Sequence, residues 1–368
     1  MNKVKIAIID HVGIKAGMDH YSYFLAKGFE SNHFRSIIIS NFIVPDIKSY
    51  SYFIGHTSSK IKKLVNHLIA FNRAAITCRV KGCKQAVIHL FSYEIKDIYA
   101  LWILKLWGIK VTAIVHDVEN LGHRDVKKYQ KKIFFDLTDK LLVHNEFSYN
   151  ALIANFGSTL SEKLKIVPHG NFNSLGAHKI PKEIAKAHFS MREDKIYLLF
   201  FGQIKEVKGL DILIKSMPFL PEQIHLVIAG KPWKNDFHPY EDLINQLGLE
   251  QRIIKLIKFV EDQERDLLFS ACDLLILPYK KIFQSGVMLM AMGFKIPIIA
   301  SDLLPMKEMI TDEKTGYLFA SENERSLSDV IIKAIANKEN LSQVTDNAWI
   351  RAEEQCNWSE IANKIIEF

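Results

Sequence analysis

The sequence has few cysteines and no long hydrophobic run, and both absences limit the kind of protein it encodes. Its 368 residues include four cysteines, whose spacing matches no zinc motif, and so few thiols suit a reducing compartment. The most apolar segment, residues 99–107, contains Lys105 and is shorter than the roughly 18 residues of a membrane span, so we expect a core helix there. The chain enters a predicted strand directly after its first residues, so we expect no signal peptide and a cytoplasmic protein.

A complete dinucleotide fingerprint and the signatures of nucleic-acid-binding folds are also missing. The first predicted strand is followed by a loop with Gly13 and Gly17 and then by a helix, the general form of a phosphate-approaching turn, but the full G-x-G-x-x-G is absent. No helix-turn-helix, zinc-finger or RNA-recognition pattern occurs. We therefore expect no nucleic-acid partner.

Charge is divided unevenly along the chain. Residues 1–180 contain 25 Lys and Arg and 13 Asp and Glu, a net charge of +12, and the remainder contains 48 − 25 = 23 and 41 − 13 = 28, a net charge of −5. Basic clusters at residues 60–63 and 127–132 indicate a surface for anionic lipid headgroups or for a phosphate-bearing acceptor. Ordinary solvated helix faces are the alternative. The basic clusters are therefore compatible with a protein that binds peripherally to the inner face of a membrane.

The pattern of apolar segments predicts an α/β protein with two domains. A chain of this length is too long for one core, and its mean hydropathy of +0.03 with 48% hydrophobic residues is typical of globular proteins. Short β-branched runs alternate with amphipathic helical segments in the first half, and the alternation resumes at residues 196–201. The sequence pattern predicts a loop at residues 41–57, a helix at residues 124–139 and a closing helical segment at residues 326–368.

The stretch from residue 283 to residue 302 predicts a loop, a buried helix and a buried strand. Gln284, Ser285 and Gly286 open the helix, and the free backbone N–H groups of Ser285, Gly286 and Val287 would point outward from its first turn. The positive end of the helix dipole favours a phosphate at that place. An ordinary crossover helix with nothing bound is the alternative.

This stretch resembles the donor-site helix of GT-B glycosyltransferases, in particular the retaining family 4, the glycosyl transferases group 1. The resemblance implies two Rossmann-like domains that face each other across a cleft. In that family one Glu contacts the donor sugar and a second Glu, eight residues later, holds the nucleotide ribose. The corresponding positions here are Ile282 and Met290. Because both carboxylates are missing, the sequence resembles an atypical member, and those two contacts do not carry over.

In the first half, the resemblance assigns roles to residues that follow predicted strands. Gly17 corresponds to the glycine that lets the backbone approach the donor diphosphate, and Asp19 and His20 lie beside it as candidates for the acceptor side. His116 and Asp117 end a predicted strand, where an ionisable pair can donate hydrogen bonds or move protons, although a His there can also be purely structural. They resemble the family's His-Asp step, whose His contacts the transferred sugar.

In the second half, residues 202–211 resemble the family's phosphate loop. Lys208 matches the Lys that pairs with the diphosphate, whereas the family's Arg is replaced by Gln203, which donates a hydrogen bond but has no charge. The resemblance also places Gly230 and Val260 on the nucleotide. The donor site implied is therefore the set Gly17, Gln203, Lys208, Gly230, Val260, Gln284, Ser285, Gly286 and Val287, with His116, Asp117 and Lys208 as catalytic residues.

Together these features predict a first domain at 1–172, a linker at 173–195, a donor domain at 196–345 and a C-terminal helix at 346–368 that crosses back to the first domain. The expected activity is transfer of a hexosyl group from a UDP- or GDP-linked sugar to a polysaccharide or lipid-linked oligosaccharide in surface-glycan synthesis. No cofactor and no metal are expected, and the resemblance favours retention. An epimerase or hydrolase of nucleotide sugars, or a non-catalytic donor-binding scaffold, remains the alternative.

Overall fold

The computed structural model describes residues 4–14, 17–53, 59–119, 126–177, 180–233 and 236–368, and the chain divides into two compact units. The first unit contains residues 1–170 and 356–368, and the second contains residues 171–355. Each unit is built on its own sheet, and every strand pair in both sheets is parallel. The prediction of two α/β domains is therefore confirmed.

The first unit has a seven-stranded sheet in the order β3-β2-β1-β4-β5-β6-β7. Its strands are mostly buried on both faces, which explains why they read as continuous apolar runs in the sequence. The strands are β1 (Lys5–Ile9), β2 (Arg35–Ser40), β3 (Ser49–Ser51), β4 (Gln85–Leu90), β5 (Lys110–Val115), β6 (Lys140–Val143) and β7 (Leu164–Ile166). The helices between them are α1 (Met18–Ser31), α2 (Lys60–Lys81), α3 (Ile95–Leu106), α4 (Lys127–Lys132) and α5 (Glu146–Phe156).

Local signals in the sequence set the ends of several of these helices. The side chain of Ser59 caps α2 by accepting a hydrogen bond from the Lys62 N–H, and Gly82 ends the helix in the left-handed conformation with φ 76°. Asn145 caps α5 in the same way, through the Ser148 N–H at 2.8 Å. These caps satisfy backbone groups that a helix cannot pair internally.

The second unit has a six-stranded sheet in the order β10-β9-β8-β11-β12-β13. Its strands are β8 (Ile196–Phe201), β9 (Ile224–Ala229), β10 (Ile253–Leu256), β11 (Leu274–Leu277), β12 (Ile298–Ser301) and β13 (Tyr317–Phe319). Its helices are α6 (Lys182–His188), α7 (Leu210–Ser216), α8 (His238–Gln246), α9 (Asp262–Ala271), α10 (Gly286–Phe294), α11 (Leu304–Lys307), α12 (Glu324–Ala336) and α13 (Lys338–Gln355).

The last helix, α14 (Trp358–Glu367), packs against α1 in the first unit. A Cβ atom on Gly28 would lie 2.2 Å from the Trp358 carbonyl oxygen, so only glycine lets the two helices approach this closely. The Asn32 side-chain amide donates to the Ser359 carbonyl at 2.7 Å and fixes the same contact. The closing segment 326–368 is helical, as predicted, and it is divided among α12, α13 and α14, of which only α14 belongs to the first unit.

Three segments differ from the sequence-based description. Residues 41–57 include the short edge strand β3, and residues 54–58 lie outside the described residues. The predicted helix 124–139 is described from residue 126, and its second half, Ile133–Leu137, is a π-helical turn. The predicted linker contains α6, whose Lys182 pairs with Asp273 at 2.5 Å within the second unit.

The strand orders place a topological switch point in each sheet. In the first sheet the chain proceeds outward from β1 through β2 to β3 and then returns to the other side of β1 with β4. In the second sheet the switch lies between β8 and β11. In open parallel sheets, ligands bind outside the carboxyl ends of the strands at such points. The loops that follow β1 and β4, and those that follow β8 and β11, are therefore where a site is expected.

Candidate functional site

The loop that follows β11 leads into α10 at the switch point of the second sheet. Ser285 is the N-cap of α10, and its Oγ accepts a hydrogen bond from the Met288 N–H at 3.2 Å. The first N–H groups of a helix have no intrahelical acceptor, so the N–H groups of Gly286 and Val287 remain available at this end. The predicted helix start is confirmed, and with it an anion-favouring end of a nine-residue helix.

The loop that follows β8 lies against this helix start. Gly202 has a φ of 104°, and a Cβ atom placed on it would lie 3.5 Å from Lys208 Nζ and 3.6 Å from a methyl carbon of Val287. The Lys208 ammonium group and the first turn of α10 therefore border the same point of the backbone. The structure thus brings together Lys208 and the helix start, which are about 80 positions apart in the sequence.

Contacts with the chain that follows β11 hold Lys208 at this place. Its Nζ lies 3.4 Å from the Tyr279 hydroxyl and 5.0 Å from the centroid of the Tyr279 ring. Gly209 is left-handed, with φ 65°, and a Cβ atom there would lie 1.9 Å from the Pro278 carbonyl oxygen. Gly209 is therefore needed for close packing. Tyr279 contacts Lys208 but was not among the predicted residues, and its position after a strand is its only signal in the sequence.

The remaining predicted donor residues occupy different surroundings. Gly230 follows β9, and a Cβ atom on it would lie 1.8 Å from the Gly202 carbonyl oxygen, so its small size lets the two strand ends pack together. Gln203 is half-buried directly after Gly202. Val260 is half-buried beyond β10, which is separated from β8 by β9. The structure thus does not place Val260 in the group formed by Lys208 and the start of α10.

In the first unit, the turn after β1 is organised by a buried carboxylate. Asp10 accepts hydrogen bonds from the N–H groups of Val12 at 3.0 Å and Gly13 at 2.8 Å, and from the Ser22 hydroxyl at 2.8 Å. Burial raises the pKa of Asp10, while these hydrogen bonds act in the opposite direction. Asp10 was not among the predicted site residues, although a carboxylate that directly follows a buried strand is a recognisable signal in the sequence.

The predicted residues around the start of α1 lie beyond that turn. Gly17 is left-handed, with φ 71°, and a Cβ atom on it would have no neighbour within 4 Å among the described residues. Asp19 and His20 lie partly exposed in the first turn of α1, with the His20 ring stacked on Phe24 at 6.4 Å. Their neighbour Tyr21 instead points into the core.

His116 lies where it was predicted, directly after β5, but it is almost completely buried. Its ring stacks on Phe91, with centroids 4.3 Å apart and planes 5° apart, and its Nε2 atom lies 3.0 Å from Nδ1 of His89. The Asp117 carbonyl oxygen accepts a hydrogen bond from the Tyr93 hydroxyl at 2.6 Å. His116 is therefore held by its neighbours on two sides.

His116 belongs to a row of four buried histidines across four neighbouring strands. Each follows an apolar core residue by two positions, which puts it on the same face of the sheet. The pairs are Val87 and His89, Ile114 and His116, Leu142 and His144, and Val167 and His169. Neighbouring rings lie 5.1 to 5.2 Å apart between centroids, and the Tyr21 ring packs on all four.

Burial keeps this row of histidines uncharged near neutral pH. It lowers the pKa of His89 and His169 to about 3 and that of His144 to about 4, and it lowers the pKa of His116 well below the usual range. The neighbouring histidines act in the same direction. His116 is therefore suited to hydrogen bonding as a neutral ring rather than to acting as a cation.

Neither a metal-binding cluster nor a membrane-spanning helix occurs in the described part of the chain. Within the described ranges, no group of three or more His, Cys, Asp or Glu side chains is placed to hold a metal ion. No helix in that same part of the chain is long and apolar enough to span a bilayer.

Comparisons with known proteins relate this chain to glycosyltransferases. Residues 181–350 match the family model of glycosyl transferases group 1. The uncharacterized glycosyltransferase MJ1607 of Methanocaldococcus jannaschii is 24% identical over 222 residues, which cover 58% of this chain and 55% of that protein. Spore coat protein SA of Bacillus subtilis is 23% identical over 287 residues, 72% of this chain and 74% of that protein. The chain thus spans little more than half the length of the first of these relatives.

Solved structures match the fold over its whole length. The structure of Alr3699/HepE from Anabaena in complex with UDP and glucose has a TM-score of 0.79 at 17% identity, covering 99% of this chain and 98% of that chain. The same protein in complex with UDP-glucose gives a TM-score of 0.78 at 16% identity, with the same coverage. The fold is that of GT-B glycosyltransferases, as predicted from the sequence.

The buried histidines predict a loss of stability in acid. The unfolded chain protonates its histidines near pH 6.5, whereas His144 in the folded protein has a pKa of about 4. The unfolded state therefore binds more protons between these values, and the free energy of unfolding falls as the pH decreases through this window. His144→Asn keeps a donor for the Val167 carbonyl but cannot titrate, so it should reduce the slope by up to about 1.4 kcal/mol per pH unit.

Urea unfolding of the parent and of His144→Asn at a series of pH values measures this difference. Asp97, whose pKa is raised to about 6 by burial, has the opposite effect on the slope but is present in both proteins and cancels. Equal slopes in the two proteins would contradict the assignment of a neutral buried His144.

Proposed function

We propose that this chain transfers a hexosyl group from a UDP- or GDP-linked sugar to a polysaccharide or lipid-linked oligosaccharide acceptor during synthesis of a surface glycan. The observation that supports the donor site is the convergence of Lys208, the Gly202 backbone and the first turn of α10 at the switch point of the second sheet. The family match over residues 181–350 and the UDP-glucose complex of the Anabaena protein support the class of donor.

The donor diphosphate is proposed to bind between the Lys208 ammonium group and the N–H groups of Gly286 and Val287. As the bond from the anomeric carbon to the diphosphate oxygen breaks, negative charge grows on the leaving group. A lysine and free helix N–H groups stabilise that charge without a metal ion, because they are oriented before the reaction begins. Gln203 supplies a neutral donor where the family has a cation, so Lys208 contributes the larger share.

For the first unit we propose the role that the family resemblance implies. His116, as a neutral ring, donates a hydrogen bond to the transferred sugar, and Gly17 leaves the backbone open toward the donor. Asp19 and His20 are proposed for the acceptor side, since both are partly exposed in the first turn of α1. The resemblance to the retaining family 4 supports retention of configuration. The acceptor hydroxyl oxygen bonds to the anomeric carbon on the face that the diphosphate leaves, and the hydroxyl proton passes to the departing diphosphate.

Lys208→Ala should reduce sugar transfer by about 10² to 10³, the usual loss when one preorganised charge stabiliser is removed. Lys215→Ala is the matched control, because Lys215 is exposed on α7 and pairs only loosely with Asp211 at 3.9 Å. Initial rates with UDP- and GDP-sugars, together with the rise in melting temperature on donor addition, measure the effect. Unchanged donor affinity and turnover in Lys208→Ala would refute the role.

The same assay separates the alternatives. A donor that is consumed without any acceptor would indicate an epimerase or hydrolase on this fold. A donor that raises the melting temperature but is never consumed would indicate a binding scaffold, a possibility consistent with Ile282 and Met290 standing where the family has two Glu.

Gly286→Val should abolish donor binding and leave the fold intact. A β-branched side chain at the first residue of α10 would stand where the phosphate must approach the Gly286 and Val287 N–H groups. Ser285→Ala is the control, since it loses the cap at a cost of about 1 kcal/mol in stability but leaves the phosphate approach open. Isothermal titration with UDP-glucose compares the three proteins, and equal affinity in Gly286→Val would remove the helix start from the site.

We also propose that the first unit binds an anionic membrane surface through α2 and α3. Exposed apolar side chains lie along the length of α2. The Ile61 and Val80 side chains, near its two ends, are 76% and 73% exposed. The other exposed apolar side chains are Leu64, Val65, Ile69 and Ile76 on α2, and Ile95, Trp102 and Leu106 on α3. The Asn72 amide donates to the Tyr99 hydroxyl at 2.5 Å and joins the two helices.

The positive charge of α2 indicates what binds to these exposed apolar side chains. The helix sequence contains six Lys and Arg residues and no Asp or Glu. A second copy of the chain would place two such basic helices together, and their repulsion opposes that arrangement. Anionic headgroups complement the charge, while the apolar side chains enter the interfacial layer.

Binding to anionic vesicles should therefore be sensitive to salt, at about 1 kcal/mol per engaged Lys or Arg. The double variant Lys62→Gln and Lys63→Gln should weaken it, because both side chains are exposed beside Ile61. The double variant Lys215→Gln and Lys333→Gln, on exposed side chains of α7 and α12 in the second unit, is the charge-matched control. Cosedimentation with phosphatidylglycerol and phosphatidylcholine vesicles is the measurement, and equal binding to both kinds would contradict the proposal.

A further inference from the structure

The hydrogen bond between His89 and His116 is buried, and its proton can be placed in two ways. The atoms joined are Nδ1 of His89 and Nε2 of His116, 3.0 Å apart. One neutral ring must donate and the other must accept. The choice determines which nitrogen of His116 holds a proton, and therefore whether its second nitrogen offers a donor or an acceptor to a ligand.

The surroundings of the second nitrogen of His89 decide between the two arrangements. Its Nε2 atom is buried and has no hydrogen-bond partner among the described residues. If His116 donated, the proton of His89 would be on Nε2, as a buried N–H group without an acceptor. If His89 donates, Nε2 is only an unused lone pair. Orphaned buried N–H groups are rarer than unused acceptors, so the second arrangement is favoured.

The neighbouring histidines have the same protonation pattern. His144 places Nδ1 3.0 Å from the Val167 carbonyl oxygen, and His169 places Nδ1 2.7 Å from the Gly170 carbonyl oxygen. A carbonyl oxygen only accepts, so Nδ1 must hold the proton in both rings. The Nε2 atom of His144 is again a buried lone pair without a partner in the described part of the chain. The row is therefore consistent with Nδ1–H tautomers.

We propose that His89 is a positioning residue that donates its Nδ1–H to Nε2 of His116 and so fixes His116 as the Nδ1–H tautomer. His116 then presents an N–H donor, which fits a hydroxyl or ring oxygen of the sugar and does not fit a second donor. Phe91, stacked on the same ring, restricts its tilt, and a half-turn of the ring would replace Nε2 with a carbon atom opposite His89. The role toward sugar rests on the proposed function, whereas the tautomer does not.

Two variants of His89 test the proposal. In His89→Leu no donor remains. In His89→Asn the amide nitrogen is attached to Cγ, as Nδ1 is in histidine, so it can replace the donor to His116. Both side chains are smaller than histidine, and a packing effect would therefore appear in both variants, whereas loss of the donor would appear only in His89→Leu.

The first measurement is the tautomer of His116 in the free protein. Long-range nitrogen–proton correlation spectra of protein labelled with ¹⁵N-histidine distinguish the two tautomers, and the signals of His116 are identified by their loss in His116→Gln. We expect the Nδ1–H form in the parent and in His89→Asn, and a mixed or Nε2–H form in His89→Leu. An Nε2–H form in the parent, or an unchanged Nδ1–H form in His89→Leu, would overturn the assignment.

The second measurement is steady-state transfer from the nucleotide sugar. We expect His89→Leu to lower kcat about tenfold or more with a smaller change in KM, and His89→Asn to restore most of that loss. Equal losses in both variants would show a packing role and overturn the positioning role. Because the spectra need no donor or acceptor, a failure of the transferase proposal is distinguishable from a failure of this one.

Discussion

Backbone N–H groups without an intrahelical acceptor at the start of α10 are the feature on which the proposed donor site depends. A helix cannot satisfy these groups internally, and the Ser285 cap uses the N–H of Met288 only. The parallel sheet places this helix start beside the loop that follows β8, where the Gly202 backbone borders both Val287 and the Lys208 ammonium group. An anion at this place would be stabilised by the full charge of Lys208 and by the dipoles of the helix N–H groups.

The first unit differs from the second because it buries four histidine rings at the carboxyl ends of its strands. Four neutral histidines cost less to bury than charged groups, and Nδ1 of three of them is used in a hydrogen bond. Tyr21 of α1 packs against the row, and α14 covers it from the C-terminal end of the chain through Trp358. This arrangement lowers the free energy of unfolding in acid, because the histidines of the unfolded chain bind protons at pH values where the buried rings stay neutral.

Much of the fold could be predicted from the sequence because the signals are local. Buried parallel strands read as continuous apolar runs, so β8 was predicted at residues 196–201, the bounds that the structure shows. Ser285, Asn145 and Gly82 mark helix ends through their own side chains or their own backbone conformation. Short elements such as β3 and β13 had too few residues to establish a period, and α6 was hidden in a polar segment.

The sequence by itself determined the α/β class, the helix start at Ser285 and Gly286, and the places of Lys208 in the loop after β8 and of His116 at the end of β5. Each of these depends on neighbours in the chain. Only the tertiary structure decided which of these ends meet. The order of strands in each sheet, set by packing between distant segments, put Lys208 beside α10, separated Val260 from that group, and aligned four histidines from four strands. Tyr279 and His89 acquired their roles in the same way, because a hydrogen bond across neighbouring loops or strands leaves no mark on either segment alone.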